Sequence, residues 1–207
     1  MAKHKTNISI LILVLFHFIG IGGILLGDAP KFLLLTPLNL LLTLGIILWN
    51  QDNWKYWWVF IATYICGLGI EIIGIQTGWP FGTYKYSNIL GPHILKTPWI
   101  IGFNWFILLY ATNSIANRIG PSLISRILIA AVLMTLLDVL IEPVAIKVNF
   151  WTWENPEVPL TNYIAWFVIS ATLAFFWQVN RIDLNKTIGY TVFLIQLIFF
   201  SALTIFV

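Results

Sequence analysis

The sequence predicts an all-α polytopic membrane bundle of about seven transmembrane helices, N-terminus inside and C-terminus outside. Three observations predict it. Of 207 residues, 59% are hydrophobic and 9% charged, with a mean hydropathy of +0.90, whereas soluble domains average ~45–50% apolar and ~25% charged. Apolar runs of about 18–25 residues recur, each long enough to cross a ~30 Å hydrocarbon core. The runs do not alternate, which favours helices over a barrel; only these two architectures satisfy their backbone in lipid. The chain, 1–207, reads as a single transmembrane helical domain, multi-pass in the cell (inner) membrane.

The first span, 8–27, follows Lys3, His4 and Lys5. Its apolar stretch is long for a cleavable signal and no small-x-small site follows, so it is read as retained. Gly27-Asp28-Ala29-Pro30 ends it. The second span, 32–49, stops at Asn50-Gln51-Asp52-Asn53, and the third is 56–76. Thr97-Pro98 resembles an N-cap with proline at the first helical position and opens the fourth span, 98–117. Gly120-Pro121 precedes the fifth, 122–146; the sixth and seventh are 162–180 and 187–206. Lysine and arginine set the orientation. Lys3, Lys5, Lys55, Arg118, Arg126, Arg181 and Lys186 fall inside; Lys31, Lys85, Lys96 and Lys147 fall outside. Both long connections, 77–97 and 147–161, are then outer.

Several classes are excluded or unsupported. The net charge of +3 comes from a few loop residues and gives nucleic acid no binding face. Cys66 is alone and reads as a small packing residue. No glycine-rich phosphate cradle and no histidine cluster is present, so no metal site is expected. Asp138-x-x-x-Glu142 is faintly similar to the Mg²⁺-binding motifs of membrane prenyltransferases, but it occurs once. The last span contains no lysine, which excludes a retinal Schiff base. His93 and the loop acids Glu154 and Glu157 read as exposed, His4 as a tail residue, and Gly67, Gly69 and Gly74 as packing glycines.

Three acids remain inside the spans. Glu71 lies near the outer end of the third. Asp138 and Glu142 lie toward the outer end of the fifth, on one helical face at i and i+4. An acid at the centre of a span costs about 2.5–3.5 kcal/mol on insertion scales, and less near the interface. Such residues should face the bundle interior. Topology alone brings polar and aromatic residues to the same depth: Thr77, Trp79, Phe81, Tyr84 and Tyr86 from the first long loop, and Asn104 and Trp105 from the fourth span. Trp151 and Trp153 come from the second loop, and Asn162, Tyr163 and Trp166 from the sixth span. Trp and Tyr at helix ends also serve as interfacial anchors. The lesser alternative is that Asp138 and Glu142 form a structural polar network, and that Asn104 bonds to a neighbouring helix.

Burial disfavours the charged form of a carboxyl group. A protonated acid in an apolar cavity can protonate a carbon–carbon double bond and leave a tertiary carbocation. Aromatic faces attract cations by about 0.5–2 kcal/mol each, and an ionised carboxylate adds field stabilisation. Water capture then yields an alcohol, while exclusion of water leads to cyclisation or proton loss. On this reading Asp138 or Glu71 donates the proton and Glu142 positions water or stays ionised. Trp79, Tyr84, Trp105 and Trp153 are candidates for the cation-facing wall. Thr77, Asn104, Asn162 and Tyr163 are candidates for orienting the water or the acids. A cyclase sharing the protonation step, or a non-catalytic pigment- or lipid-binding protein, are the alternatives.

The stretch Glu71-x-x-Gly74-x-x-Thr77-Gly78-x-Pro80-Phe81-Gly82-x-Tyr84-x-Tyr86 resembles the signature of the integral-membrane carotenoid hydratases of the CruF type. Asp138-x-x-x-Glu142-Pro143 followed by Trp151-x-Trp153 is similar to the same family, as is Val158-Pro159-Leu160-x-Asn162-Tyr163-x-x-Trp166. The resemblance covers about residues 65–170. It implies a carotenoid 1,2-hydratase, which adds water across the terminal double bond of an acyclic carotenoid end without a cofactor. The carotenoid would enter from the lipid phase, with membrane lipids and other carotenoid-pathway enzymes as partners.

Overall fold

The computed structural model describes residues 2–206, with side chains from His4 onward. The Lys3 side chain, counted above among the inner cations, lies outside the described residues. Helix α1 (Ala2–Leu26) is followed by a short α2 (Ala29–Leu33) and by α3 (Thr36–Trp49), which together form one broken second span. Asp28 caps α2 through Lys31 N, and Pro37 sits in the first turn of α3, where a missing N–H costs nothing. The second span thus begins at Ala29, earlier than the sequence reading placed it. Helix α4 (Trp57–Thr77) ends on Gly78 at φ 73°, a left-handed cap that glycine adopts without steric cost.

Between α4 and α5 the chain forms β1 (Tyr84–Tyr86), a 3₁₀ turn (Asn88–Leu90), β2 (His93–Ile94) and β3 (Thr97–Pro98). Helices α5 (Ile100–Ile119) and α6 (Leu123–Lys147) follow, then β4 (Trp151–Trp153), α7 (Leu160–Val179) and α8 (Lys186–Phe206). Ser122 and Ser125 form a reciprocal capping box that starts α6. Six helices, counting α2 and α3 as one, are long and apolar enough to cross a membrane. The exception, α5, is the central helix: it packs against α3, α4, α6, α7 and α8. Its Asn113, Thr112 and Ser114 are fully buried. A helix surrounded by protein need not be as apolar as one facing lipid, which explains its weaker hydropathy.

The connections gather at two ends. At one, Lys5 pairs with Asp52 at 3.3 Å and Asn50 donates to Ser9 Oγ at 2.7 Å. At that end too, Gln51 donates to the Asp183 carbonyl at 2.7 Å. At the other end β1 pairs antiparallel with β4, opposing Tyr84 to Trp153 and Tyr86 to Trp151. A second small ribbon joins β2 to β3.

Four sequence readings are corrected here. Thr97 and Pro98 lie in β3 rather than capping α5, whose N-cap is Trp99. Cys66 is exposed on the outer face of α4, so it is not a packing residue. Gly69 meets no neighbour, whereas Gly67 and Gly74 do pack closely. His93 is half-buried by its ribbon.

Candidate active site

The site lies where α4, α5, α6 and α7 meet the β1–β4 ribbon. Strand side chains alternate, and the register opposes like-facing residues, so Tyr84, Tyr86, Trp151 and Trp153 all fall on one face. That face points at the acids. Lys85 takes the other face and is exposed. Glu71 projects from α4 between two glycines. A Cβ at Gly67 would stand 2.6 Å from Trp105 Cβ, and one at Gly74 would stand 2.7 Å from Phe81 Cδ2 and 3.3 Å from the Tyr84 hydroxyl. Both glycines are therefore required for their neighbours to reach Glu71.

The three acids are buried and unequally supplied with donors. Glu71 accepts three hydrogen bonds: from the Tyr84 hydroxyl, from the Tyr86 hydroxyl at 2.8 Å and from Trp105 Nε1 at 2.9 Å. Glu142 accepts from Trp151 Nε1 at 3.0 Å and Trp153 Nε1 at 2.9 Å on one oxygen, and from Asn162 Nδ2 at 3.4 Å on the other. Asp138 accepts one, from the same Asn162 amide at 2.8 Å. Burial, and then the neighbouring Glu71 charge, push the Tyr84 and Tyr86 phenols well above their ordinary range. Both phenols thus stay protonated and remain donors to Glu71.

A cavity of about 30 Å³ lies among these groups. Its walls include Phe81, the Trp105–Trp166 pair stacked at 4.1 Å, and Trp153 set against Tyr84 at 4.9 Å. Such a volume holds about one or two waters. Ile101, Asn104 and Trp151 line both this cavity and a larger apolar cleft of about 190 Å³ bounded by α1, α2, α3 and α8. The rim residues Phe16, Ile19, Leu35 and Leu38 are exposed on the outside of the bundle. These three residues thus stand between the lipid-facing cleft and the cavity that holds the acids. Asn104 stands at the junction and makes no side-chain hydrogen bond among the described residues.

Glu71, Asp138, Glu142, Phe81, Tyr84, Tyr86, Asn104, Trp105, Trp151, Trp153, Asn162 and Trp166 all line the cavity. Three sequence candidates do not. Trp79 is 69% exposed, so it cannot wall a cation. Thr77 is exposed; its hydroxyl donates to the Ile73 carbonyl at 2.7 Å and accepts from Trp79 N at 3.1 Å, which closes the end of α4. Tyr163 is half-buried on α7 and, unlike its chain neighbour Asn162, does not line the cavity. Sequence reasoning missed the ribbon, although the period-two patterns Tyr84-Lys85-Tyr86 and Trp151-Thr152-Trp153 were its signal. It also missed Ile101 at the junction. Among the described residues, no group of three or more His, Cys, Asp or Glu side chains is arranged to hold a metal ion.

A family model described as carotenoid biosynthesis protein matches residues 32–207. Over 137 residues the chain is 30% identical to bisanhydrobacterioruberin hydratase of Haloarcula japonica; the match covers 61% of this chain and 46% of that protein. No solved structure matches the chain.

Proposed function

The chain belongs to the carotenoid biosynthesis protein family, and on that premise we propose that it is a hydratase adding water to the terminal double bond of an acyclic carotenoid end. The observation that carries the reading is the unequal supply of hydrogen bonds to three acids around one aromatic cavity. Donors stabilise the charged form of a carboxyl group. Glu71, ringed by three, is the fixed anion. Asp138 and Glu142 share the Asn162 amide, and two carboxyls so placed favour holding one proton between them. Asp138, with the fewest donors, carries it.

Asp138 gives its proton to the less substituted carbon of the double bond, and the π electron pair becomes the new C–H bond. The cation forms on the tertiary carbon. The faces of Trp105 and Trp153 and the Glu71 charge stabilise it, the rings by about 0.5–2 kcal/mol each. Water held near Asn104 attacks the tertiary carbon and loses its proton to Glu142. Proton exchange within the Asp138–Glu142 pair restores the start, so one water is added and nothing else is consumed. The carotenoid enters from the lipid phase through the cleft. The enzyme works in the cell (inner) membrane, where other carotenoid-pathway enzymes supply the polyene.

The test is expression in a host that accumulates an acyclic carotene. Products should gain the mass of one water. In heavy-oxygen water the label should enter the tertiary hydroxyl, and in deuterated water one solvent hydrogen should sit on the adjacent carbon. A new ring at unchanged mass would mean a cyclase, and unaltered pigment a binder. A hydroxyl drawn from molecular oxygen would overturn the acid mechanism altogether.

A further inference from the structure

The β2–β3 ribbon lines neither the cavity nor the cleft. Its register opposes Ile94 to Thr97, so Leu95 and Lys96 alone form the turn. Both are left-handed, at φ 48° and 68°. Two-residue hairpin turns of this geometry ordinarily use asparagine and glycine. Leucine is strained there, because its Cβ crowds the following carbonyl oxygen. Leu95 is 65% exposed and Ile94 48%, so burial within the protein does not offset the strain. An outlying conformation kept without an internal reason points to a contact outside the molecule.

The place of the turn in the fold says what lies outside. The Gln76 amide donates to the Leu95 carbonyl at 2.8 Å and ties the tip to the last turn of α4. Gln76 continues the stripe Ile65, Gly69, Ile73 on that helix, at steps of three or four residues. Ile65 and Ile73 are exposed on the outside of the bundle, the side that meets hydrocarbon in a multi-pass protein. The tip therefore lies over the lipid-facing side of α4, level with the end of the span. Trp79, held to the same helix end by Thr77, is exposed there too. Lys96 adds an exposed cation. The β1–β4 ribbon differs: Lys85 and Thr152 oppose each other on its face away from the acids.

We propose that the Leu95–Lys96 turn, with Ile94 and Trp79, is a lipid-binding tip. Its apolar side chains enter the boundary between headgroups and acyl chains of the leaflet at this end, and the Lys96 ammonium meets the lipid phosphates. Tryptophan and aliphatic side chains beside a lysine suit that layer: the rings and branched chains lie below the headgroups while the ammonium stays at their level. The contact fixes the 77–97 connection, which carries Tyr84 and Tyr86 to Glu71, to the plane of the membrane. The proposal stands whatever reaction the cavity performs.

The experiment uses the full chain with Cys66→Ala, in nanodiscs of phosphatidylcholine and phosphatidylglycerol. An environment-sensitive fluorophore on Leu95→Cys is compared with the same fluorophore on Lys85→Cys; Ile94→Cys serves if Leu95→Cys does not fold. At position 95 the emission should shift to the blue, lipid spin-labelled just below the headgroup should quench it, and aqueous iodide should quench it several-fold less than at position 85. Adding Lys96→Gln should lessen the quenching by spin-labelled lipid, and no change would overturn the part given to Lys96. Equal iodide quenching at both positions would put the tip in water and overturn the proposal. Protection from iodide in native membranes but not in pure lipid nanodiscs would mean that another protein covers the tip, and would overturn it as well.

Discussion

Glu71 and Asp138 are both buried carboxyls, yet their surroundings ask different things of them. Glu71 is met by three side chains that all donate. Glu71→Gln would turn an amide N–H toward those donors, leaving at least one pair unbonded at a cost of about 1–3 kcal/mol. Both a lower melting temperature and reduced turnover are expected, and a thermal melt beside a product assay checks this. Asp138→Asn should behave differently. It keeps the shape, and its own side chain can still accept from Asn162. Loss of a general acid predicts a fall in turnover of about 10²–10⁴-fold, with the protein still inserted and melting close to the unaltered chain. Near-normal turnover in Asp138→Asn would remove it from the proton-donor role.

At the scale of elements, the β1–β4 ribbon and α4 act together. The ribbon brings four aromatic donors to two acids in one pairing. Helix α4 admits it by means of Gly74, one turn beyond Glu71, where Phe81 and Tyr84 lie against the bare backbone. Gly74→Val would force those rings outward and withdraw the Tyr84 hydroxyl from Glu71. We expect hydration to be lost while the helices still insert. Gly69→Val, on the same helix and facing open space, should leave activity within about twofold, because substitutions away from packed features usually change stability by less than ~0.5 kcal/mol. If both variants behave alike, the close approach at Gly74 does not support the site.

For the whole molecule, α5 is the axis about which the other helices pack, and the connections divide between two ends. Seven crossings place the ribbon and the end holding Lys5 and Asp52 on opposite sides of the membrane. Topology reporters fused at residues 90 and 120 should therefore report opposite sides, with residue 90 outside by the lysine and arginine bias. The same side from both would break the common depth of the three acids. The first two spans carry none of the acids, yet they wall the open cleft together with α8.

The sequence by itself determined the helical membrane class and the course of the spans, because insertion depends on the local sum of hydropathy along each run. It also singled out Glu71, Asp138 and Glu142, since an acid among apolar residues is conspicuous without any structure. Tertiary structure alone decided which donors each acid receives. Trp79 and Tyr84 look equivalent in the chain, but a left-handed turn at Gly78 and pairing across 69 positions, Tyr84 with Trp153, turn one ring outward and the other inward. Thr77 went to a helix end for the same reason: the nearest unpaired backbone groups, not the distant acids, claimed its hydroxyl. The adjacency of cavity and cleft likewise depends on Ile101, Asn104 and Trp151 meeting in space. Hydropathy is a property of each segment, whereas hydrogen-bond partners and cavities belong to pairs of segments, and the pairing exists only once the bundle has closed.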